Sequence, residues 1–180
     1  MRVFIAIDVP DEIRQRLASI QEELRPSAPS AKWVNADAIH ITLKFIGEIS
    51  EKRRDDIDNA LTDLTWKPLA VAVRGIGFFP GMRSPRVLWA GVECTTMAGL
   101  AEEVDSRLVR AGFDSEKRAF RAHLTLARTK ESRLENTLVR AAAPHEQAEF
   151  GSFHADRIHL YQSTTKAGGS VYTKLKEFQL

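Results

Sequence analysis

His40-Ile41-Thr42-Leu43 and His123-Leu124-Thr125-Leu126 are two copies of one tetrad, the second 83 residues after the first. Successive side chains of an extended chain point to opposite faces. The spacing therefore predicts that His40 and Thr42 share one face, while Ile41, Leu43 and Phe45 point into a core. His123 and Thr125 are expected to stand likewise above Leu124 and Leu126. Packing does not require the same polar pair twice on strands that are otherwise apolar, so a site is expected where the two strands meet.

Working outward, the surroundings of the tetrads also repeat. Val3 to Ile7 reads as a buried strand. Asp11 is placed to cap a helix in which Ile13, Leu17, Ile20 and Leu24 recur at helical spacing, ended by Pro26 and Pro29. Trp33-Val34 leads into the strand Ile39–Ile46. Ser50 is placed to cap a helix carrying Ile57, Leu61 and Leu64, and Leu69–Phe79 reads as a strand. A turn-rich stretch, residues 80–85, follows. The order then returns: a strand from Val87 to Val92, a helix from Thr96 to Arg110, the strand Ala122–Leu126, a helix from Ser132 to Ala142, and a strand from Phe153 to Gln162. The loop Ser163–Ser170 joins this to a last strand, Val171–Phe178. Val3 and Val87 are 84 residues apart, and Arg74 and Arg157 are 83 apart. Two units of pattern β-α-β-α-β, residues 1–85 and 86–180, are predicted within one bilobal domain spanning 1–180.

The composition bounds what such a chain does. It has 180 residues, 43% hydrophobic and 28% charged, which excludes a disordered or collagen-like polymer. One cysteine, Cys94, excludes an intrachain disulfide and reads as an inert thiol. The apolar run at the N-terminus is stopped by Asp8 and Pro10, too soon for a signal peptide, and no run is long enough to span a membrane. A cytoplasmic monomer is the expectation. The net charge of +2 says little by itself. Its distribution says more: six Lys and Arg against two Glu between Glu116 and Arg133 give a +4 segment around the second tetrad. Arg74, Arg83 and Arg86 add positive charge near the first unit's end, where no acid follows until Glu93. Such patches suit a polyanion end.

Two imidazoles and two hydroxyls suit phosphodiester chemistry. Imidazole titrates near pH 6.5, so one is available as a base toward water and the other as an acid toward a leaving sugar oxygen. The Thr42 and Thr125 hydroxyls are suited to hydrogen-bond the non-bridging phosphate oxygens. The residues alone do not say which histidine takes which part. Lys44 shares the nominal face of His40 and Thr42, which makes it a candidate phosphate ligand. Strict alternation sends Arg128 away from Thr125 unless the strand bulges. Phe78, Phe79, Trp33 and Trp89 read as core before base-stacking surface. His154 and His159 flank Asp156 but fall on opposite faces of a strand, which argues against a metal site.

Met1-Arg2-Val3-Phe4-Ile5-Ala6-Ile7-Asp8, His40-Ile41-Thr42-Leu43-Lys44-Phe45-Ile46-Gly47, Arg86-Val87-Leu88-Trp89-Ala90-Gly91-Val92 and His123-Leu124-Thr125-Leu126-Ala127-Arg128 together resemble the 2H phosphoesterases. Within them the chain is similar to the RNA 2′,3′-cyclic phosphodiesterases, also called 2′-5′ RNA ligases, over nearly its whole length. The resemblance implies an α+β fold, a bilobal pseudo-twofold duplication with two antiparallel-type sheets lining a central cleft and helices outside. It implies metal- and cofactor-free hydrolysis of RNA 2′,3′-cyclic phosphate ends to 2′-phosphomonoesters. It suggests His40 as general acid and His123 as general base, and Arg128, Arg86, Ser163 and Tyr172 near the substrate. Competing readings are reversible 2′-5′ joining of RNA ends, hydrolysis of a small cyclic nucleotide, and an RNA-binding module without catalysis.

Overall fold

The architecture is taken from a computed structural model, which describes residues 1–129, 131, 134–167 and 169–180. Among these, nine strands and four α-helices follow one another as β1 (Arg2–Asp8), α1 (Asp11–Leu24), β2 (Lys32–Trp33), β3 (His40–Glu48), α2 (Arg54–Leu61), β4 (Leu69–Phe79), β5 (Val87–Glu93), α3 (Met97–Arg110), β6 (His123–Arg128), α4 (Asn136–Ala142), β7 (Glu149–Ala155), β8 (Arg157–Lys166) and β9 (Gly169–Gln179). The predicted strand Phe153–Gln162 is in fact parts of two strands that break at Asp156. Two predicted caps differ as well. Asp11 is the first residue of α1 and pairs with Arg14 rather than capping, and a 3₁₀ turn at Glu51–Arg53 stands between Ser50 and α2. The predicted start of the last helix, Ser132, lies outside the described residues.

The strands form one antiparallel sheet in the order β7-β4-β5-β6-β3-β1-β8-β9, with β2 on β6, curled into a half-barrel. The two sheets expected from the resemblance are thus one. They join at a narrow seam between β3 and β6, where Ile41 pairs with Leu124. Strand order mirrors about this seam: β3 faces β6, β1 matches β5, β8 matches β4, and β9 matches β7.

The lobes do not follow the two halves of the chain. β4 pairs with β5 of the second unit, because the short turn between them closes a hairpin at little entropic cost. β8 returns across the molecule to pair with β1. The helices exchange too. α1 lies against β7, where Ile13 meets Gly151 and Arg16 donates to the Phe150 carbonyl at 3.2 Å. α3 packs beneath β3, and α2 beneath β9, where Lys176 meets Asp58 at 3.2 Å. One lobe is therefore β1, β3, β8 and β9 over α2 and α3, and the other is β4–β7 over α1 and α4. The amphipathic stripes drive this. Ile13, Leu17, Ile20 and Leu24 of α1, Ile57 and Leu61 of α2, and Leu100, Val104 and Leu108 of α3 are all buried. Each contributes roughly 1.5–3 kcal/mol relative to exposure. No helix among the described residues is long and apolar enough to cross a membrane.

Candidate active site

Ile41 and Leu124 are fully buried on the helix side of the seam, so the histidines and threonines beside them face the concave side. The antiparallel register that pairs Ile41 with Leu124 sets His40 level with Thr125 and Thr42 level with His123. The local backbone also fixes each imidazole's tautomer. His40 Nδ1 lies 2.7 Å from the Ala38 carbonyl, and His123 Nδ1 lies 2.7 Å from the Arg121 carbonyl. A carbonyl only accepts, so each Nδ1 carries the proton and each Nε2 is left to exchange a proton with a ligand. The Ala38 carbonyl is itself held by a 3₁₀ turn, capped by Asn35, whose side chain accepts from Asp37 N at 3.0 Å.

A bulge follows each tetrad and changes what comes next. On β3, Thr42 pairs with Ala6 but Lys44 pairs with Ile5, which leaves Leu43 as the extra residue. On β6, Thr125 pairs with Trp89 but Ala127 pairs with Leu88, which leaves Leu126 extra. The bulge reverses alternation beyond it. Arg128 accordingly turns back toward its own tetrad, and its Nη2 donates to Thr125 Oγ1 at 3.3 Å. Phe45, expected in the core, turns out and is 55% exposed.

Lys44 is the correction that matters most. Its candidacy as a phosphate ligand rests on unbroken alternation, and the bulge sends it the other way. Lys44 is 2% exposed, its Nζ donates to Asp105 of α3, and it reaches the Asp114 carbonyl at 2.7 Å. It anchors β3 to a helix instead. The matching anchor under β6 is Gln21 of α1, buried, whose Nε2 donates to the carbonyls of Val34 and Leu126 at 2.8 and 2.9 Å. The bulged residue's carbonyl thus accepts twice, from Gln21 and from the Val34 amide at 2.9 Å.

The remaining candidates divide. Tyr172 packs edge-on against His40 with ring centroids 5.0 Å apart, and Ser163 is its cross-strand partner. Arg86 is exposed just before β5 begins, out of step with Val87, Trp89 and Gly91 that pair with the β6 face, so the strand does not aim it at the histidines. Arg74 meets Glu149 at 3.9 Å, an acid far from it in sequence. Phe78 is core, whereas Phe79 stands edge-on to His123 at 5.0 Å and 5.2 Å from Trp89. His154 and His159 lie on different strands, and no metal-ligand cluster occurs among the described residues. Lys130 and Arg133 of the basic segment lie outside the described residues.

Sequence reasoning misses the groups around His40. Phe4 stacks on its ring at 4.7 Å, and Tyr161 stacks on Phe4 at 5.5 Å. Asp8 pairs with His40 across β1 and β3, accepts from the Tyr161 hydroxyl, and meets Lys174 at 2.8 Å. In the sequence Asp8 reads only as the residue that stops an apolar run. This enclosure has a consequence for protonation. Burial pushes His40 down to about 4, against opposing pulls from the Ala38 carbonyl and from Asp8, while Arg128 adds to the depression. His123 is lowered by the same burial and by Arg128. Both imidazoles are thus neutral at neutral pH by these effects alone, and an anionic phosphate beside them favours protonation of one.

Comparison with known proteins bears on the family and the fold. The LigT-like phosphoesterase family model matches residues 7–89 and 93–172. The RNA 2′,3′-cyclic phosphodiesterase of Methanocaldococcus jannaschii is 34% identical over 178 residues, covering 99% of this chain and 100% of that protein. The protein of the same name from Archaeoglobus fulgidus is 34% identical with the same coverage. Among solved structures, one from Thermus thermophilus superposes with a TM-score of 0.83 at 30% identity, covering 100% of this chain and 98% of that one. The Escherichia coli LigT complex with 3′-AMP superposes with a TM-score of 0.82 at 27% identity, covering 99% and 97%.

Proposed function

The chain belongs to the LigT-like phosphoesterase family, and on that premise we propose that it hydrolyses the 2′,3′-cyclic phosphate at an RNA end to a 2′-phosphomonoester. In this reading a water oxygen attacks phosphorus and the bond from phosphorus to the 3′-oxygen breaks. The Nε2 of His123 takes the water's proton, and the protonated Nε2 of His40 gives its proton to the departing 3′-oxygen. Thr42, Thr125 and Arg128 hold the non-bridging oxygens, where charge builds up in the transition state. The proton removed and the proton donated balance, so the product carries a free 3′-hydroxyl. No metal or cofactor takes part.

The observation that carries the reading is the matched pair of tautomers. Each Nδ1 is committed to a carbonyl 2.7 Å away, so each Nε2 is available on one concave face, level with the other strand's threonine. The names of the relatives, RNA 2′,3′-cyclic phosphodiesterase, supply the substrate class. The 3′-AMP in the Escherichia coli complex supports a cleft that accepts a nucleoside phosphate. Since one chain supplies both tetrads, a monomer suffices, and a cytoplasmic setting accords with an RNA substrate. Ligation through a 2′-5′ bond would use the same site with a 5′-hydroxyl in place of water.

Product analysis on an oligonucleotide with a 2′,3′-cyclic end tests this directly. A terminal 2′-phosphate is expected. A 3′-phosphate would reverse the leaving group, and an unchanged substrate would overturn the reading.

A further inference from the structure

The pseudo-twofold repeats the histidines but not what stands beside them. Across the β1–β3 ladder the residue paired with His40 is Asp8; across the β5–β6 ladder the residue paired with His123 is Gly91. Directly paired residues of an antiparallel sheet share a face, with Cβ atoms roughly 4.5–5.5 Å apart. One imidazole therefore has a carboxylate neighbour and the other has none. Gly91 has no room for one either, because a Cβ there would come within 2.3 Å of the Arg74 carbonyl oxygen.

We propose that Asp8 is a positioning residue for catalysis, which assigns His40 as the general acid by holding a negative charge beside its imidazolium. The inference rests on the two-histidine hydrolysis proposed above and supplies a physical reason for the roles given to the two histidines there. Asp8 is built to stay ionised. Burial works to raise its carboxyl, but Lys174, the Tyr161 hydroxyl and His159 outweigh burial and hold it below the usual carboxylate range. Tyr161 is held as a donor, since burial and Asp8 both oppose loss of its proton. His159, 2% exposed, completes the cluster with Nδ1 3.7 Å from Asp8 and Nε2 3.1 Å from Glu177.

The other groups facing His40 do not supply such a charge. Arg14 of α1 and Arg128 of β6 both disfavour its protonation. Phe4, Tyr161 and Tyr172 from β1, β8 and β9 present rings. At His123 the charged neighbour is Arg128, and Phe79 presents a ring edge. An imidazole beside a carboxylate gains a proton more readily than one beside only a guanidinium. Without a ligand, burial outweighs the pull of Asp8 on His40; an anionic phosphate seated between the two imidazoles favours a proton on either, and the carboxylate then tips it to His40 and leaves His123 as the base.

The experiment measures kcat/KM against pH for a nucleoside 2′,3′-cyclic phosphate with wild type, Asp8→Asn and Lys174→Met. Above the His40 pKa, activity scales with the fraction of His40 still protonated. Removing the carboxylate lowers that fraction, so Asp8→Asn is expected to lose about tenfold on the neutral and alkaline side, as an imidazole pKa lower by about one would give. Below both histidine pKa values the rate is set by deprotonation of His123, so variant and wild type converge there. Lys174→Met frees Asp8 of its cation, and the alkaline loss then begins at higher pH. A second probe replaces the bridging 3′-oxygen with sulfur, a leaving group that needs no acid. Asp8→Asn and His40→Ala are rescued on it, and His123→Ala is not. A loss of equal factor at every pH, superimposed profiles, or rescue of His123→Ala instead would overturn the role given to Asp8. If His40→Ala turns over the oxygen substrate normally, it is the two-histidine reading that fails.

Discussion

Around the seam the two lobes solve one packing problem with opposite choices of size. Beside Thr42 on the first lobe the paired residue is small, Ala6, and its neighbour on the next strand is large, His159. Beside Thr125 on the second lobe the paired residue is large, Trp89, and its neighbour is Gly77, where a Cβ would lie 2.2 Å from the indole. The volumes balance, but the chemistry does not: the first lobe gains a polar cluster of half-buried Asp8 and Tyr161 with buried His159, closed off by exposed Lys174, and the second an aromatic wall of Trp89 and Phe79. The same contrast runs through the bulges. Lys44 and Ala127 are matched and buried, and Phe45 and Arg128 are matched and turned out. What the symmetry conserves is backbone work, namely the bulge, the face and the tautomer. What it leaves free is the electrostatics, and an acid and a base must differ there.

The strongest way to break the comparison is to remove each histidine in turn. His40→Ala and His123→Ala are each expected to lower turnover of a 2′,3′-cyclic phosphate by roughly 10²–10⁴, the usual worth of a general acid or base. The double variant is expected to lose less than the product of the two, because the pair acts as a unit. Far-UV circular dichroism and thermal melts check that the fold survives. Near-normal rates in either single variant would sink the division of labour.

Lys44 tests whether the matched interior positions are as different as they look. Lys44→Ala leaves Asp105 without its cation and should destabilise by about 3 kcal/mol, the low end for a broken buried pair, since Asp105 is partly exposed. Lys44→Met, which keeps the volume, should cost less. Catalysis at a temperature where the variants stay folded is expected to be unchanged, and a large fall in kcat would return Lys44 to the phosphate. The sign with pH follows from Asp105. Burial raises its carboxyl, but Lys44, the Glu116 amide and Ser115 outweigh this and hold it below its ordinary value. That stabilisation is present above the unfolded pKa of about 4 and is lost as pH falls through the lower folded value. The stability gap between wild type and Lys44→Met should therefore narrow in acid, as urea melts would report.

Lys44 also marks where the sequence stops being legible. The two tetrads, the repeat and most element positions follow from period and spacing, because buried strands and amphipathic helices write those periods into the chain. A bulge does not: one extra residue reverses every side chain beyond it, and nothing in Leu43 or Leu126 announces it. Arg128 is legible only as conditional on such a bulge, and Lys44 is misplaced for want of one. The exchange of β4 and β8 between lobes is hidden for another reason, since repeat spacing says which segments correspond but not which pair. Asp8 is invisible as a site residue because its partner, His40, lies across a ladder rather than along the chain.

Arg128 sharpens the contrast between the two turned-out positions. It reaches Thr125 and bears on both histidines, while the matched Phe45 offers only a ring. Arg128→Ala is expected to lower kcat by roughly 10², comparable to losing one donor to a developing oxyanion. Arg128→Lys should recover part of this, since it restores the charge without the planar fork. A change in KM alone, with kcat intact, would place Arg128 on the ground-state phosphate only.

Chelation should have the smallest effect of all. If the lobes differ as an acid and a base differ, the two imidazoles supply both proton transfers, and no Lewis acid is required to polarise the phosphate. Turnover in excess EDTA is then expected to equal turnover without it. The outcome matters because neutral imidazoles with Nδ1–H committed to a carbonyl and Nε2 free are also the form in which histidines bind metals. Activity lost to EDTA and restored by one divalent ion would turn His40 and His123 into ligands with like roles. The carboxylate beside one and the guanidinium beside both would then have to be explained as tuning a metal, and the asymmetry between the lobes would lose its meaning as a division between acid and base.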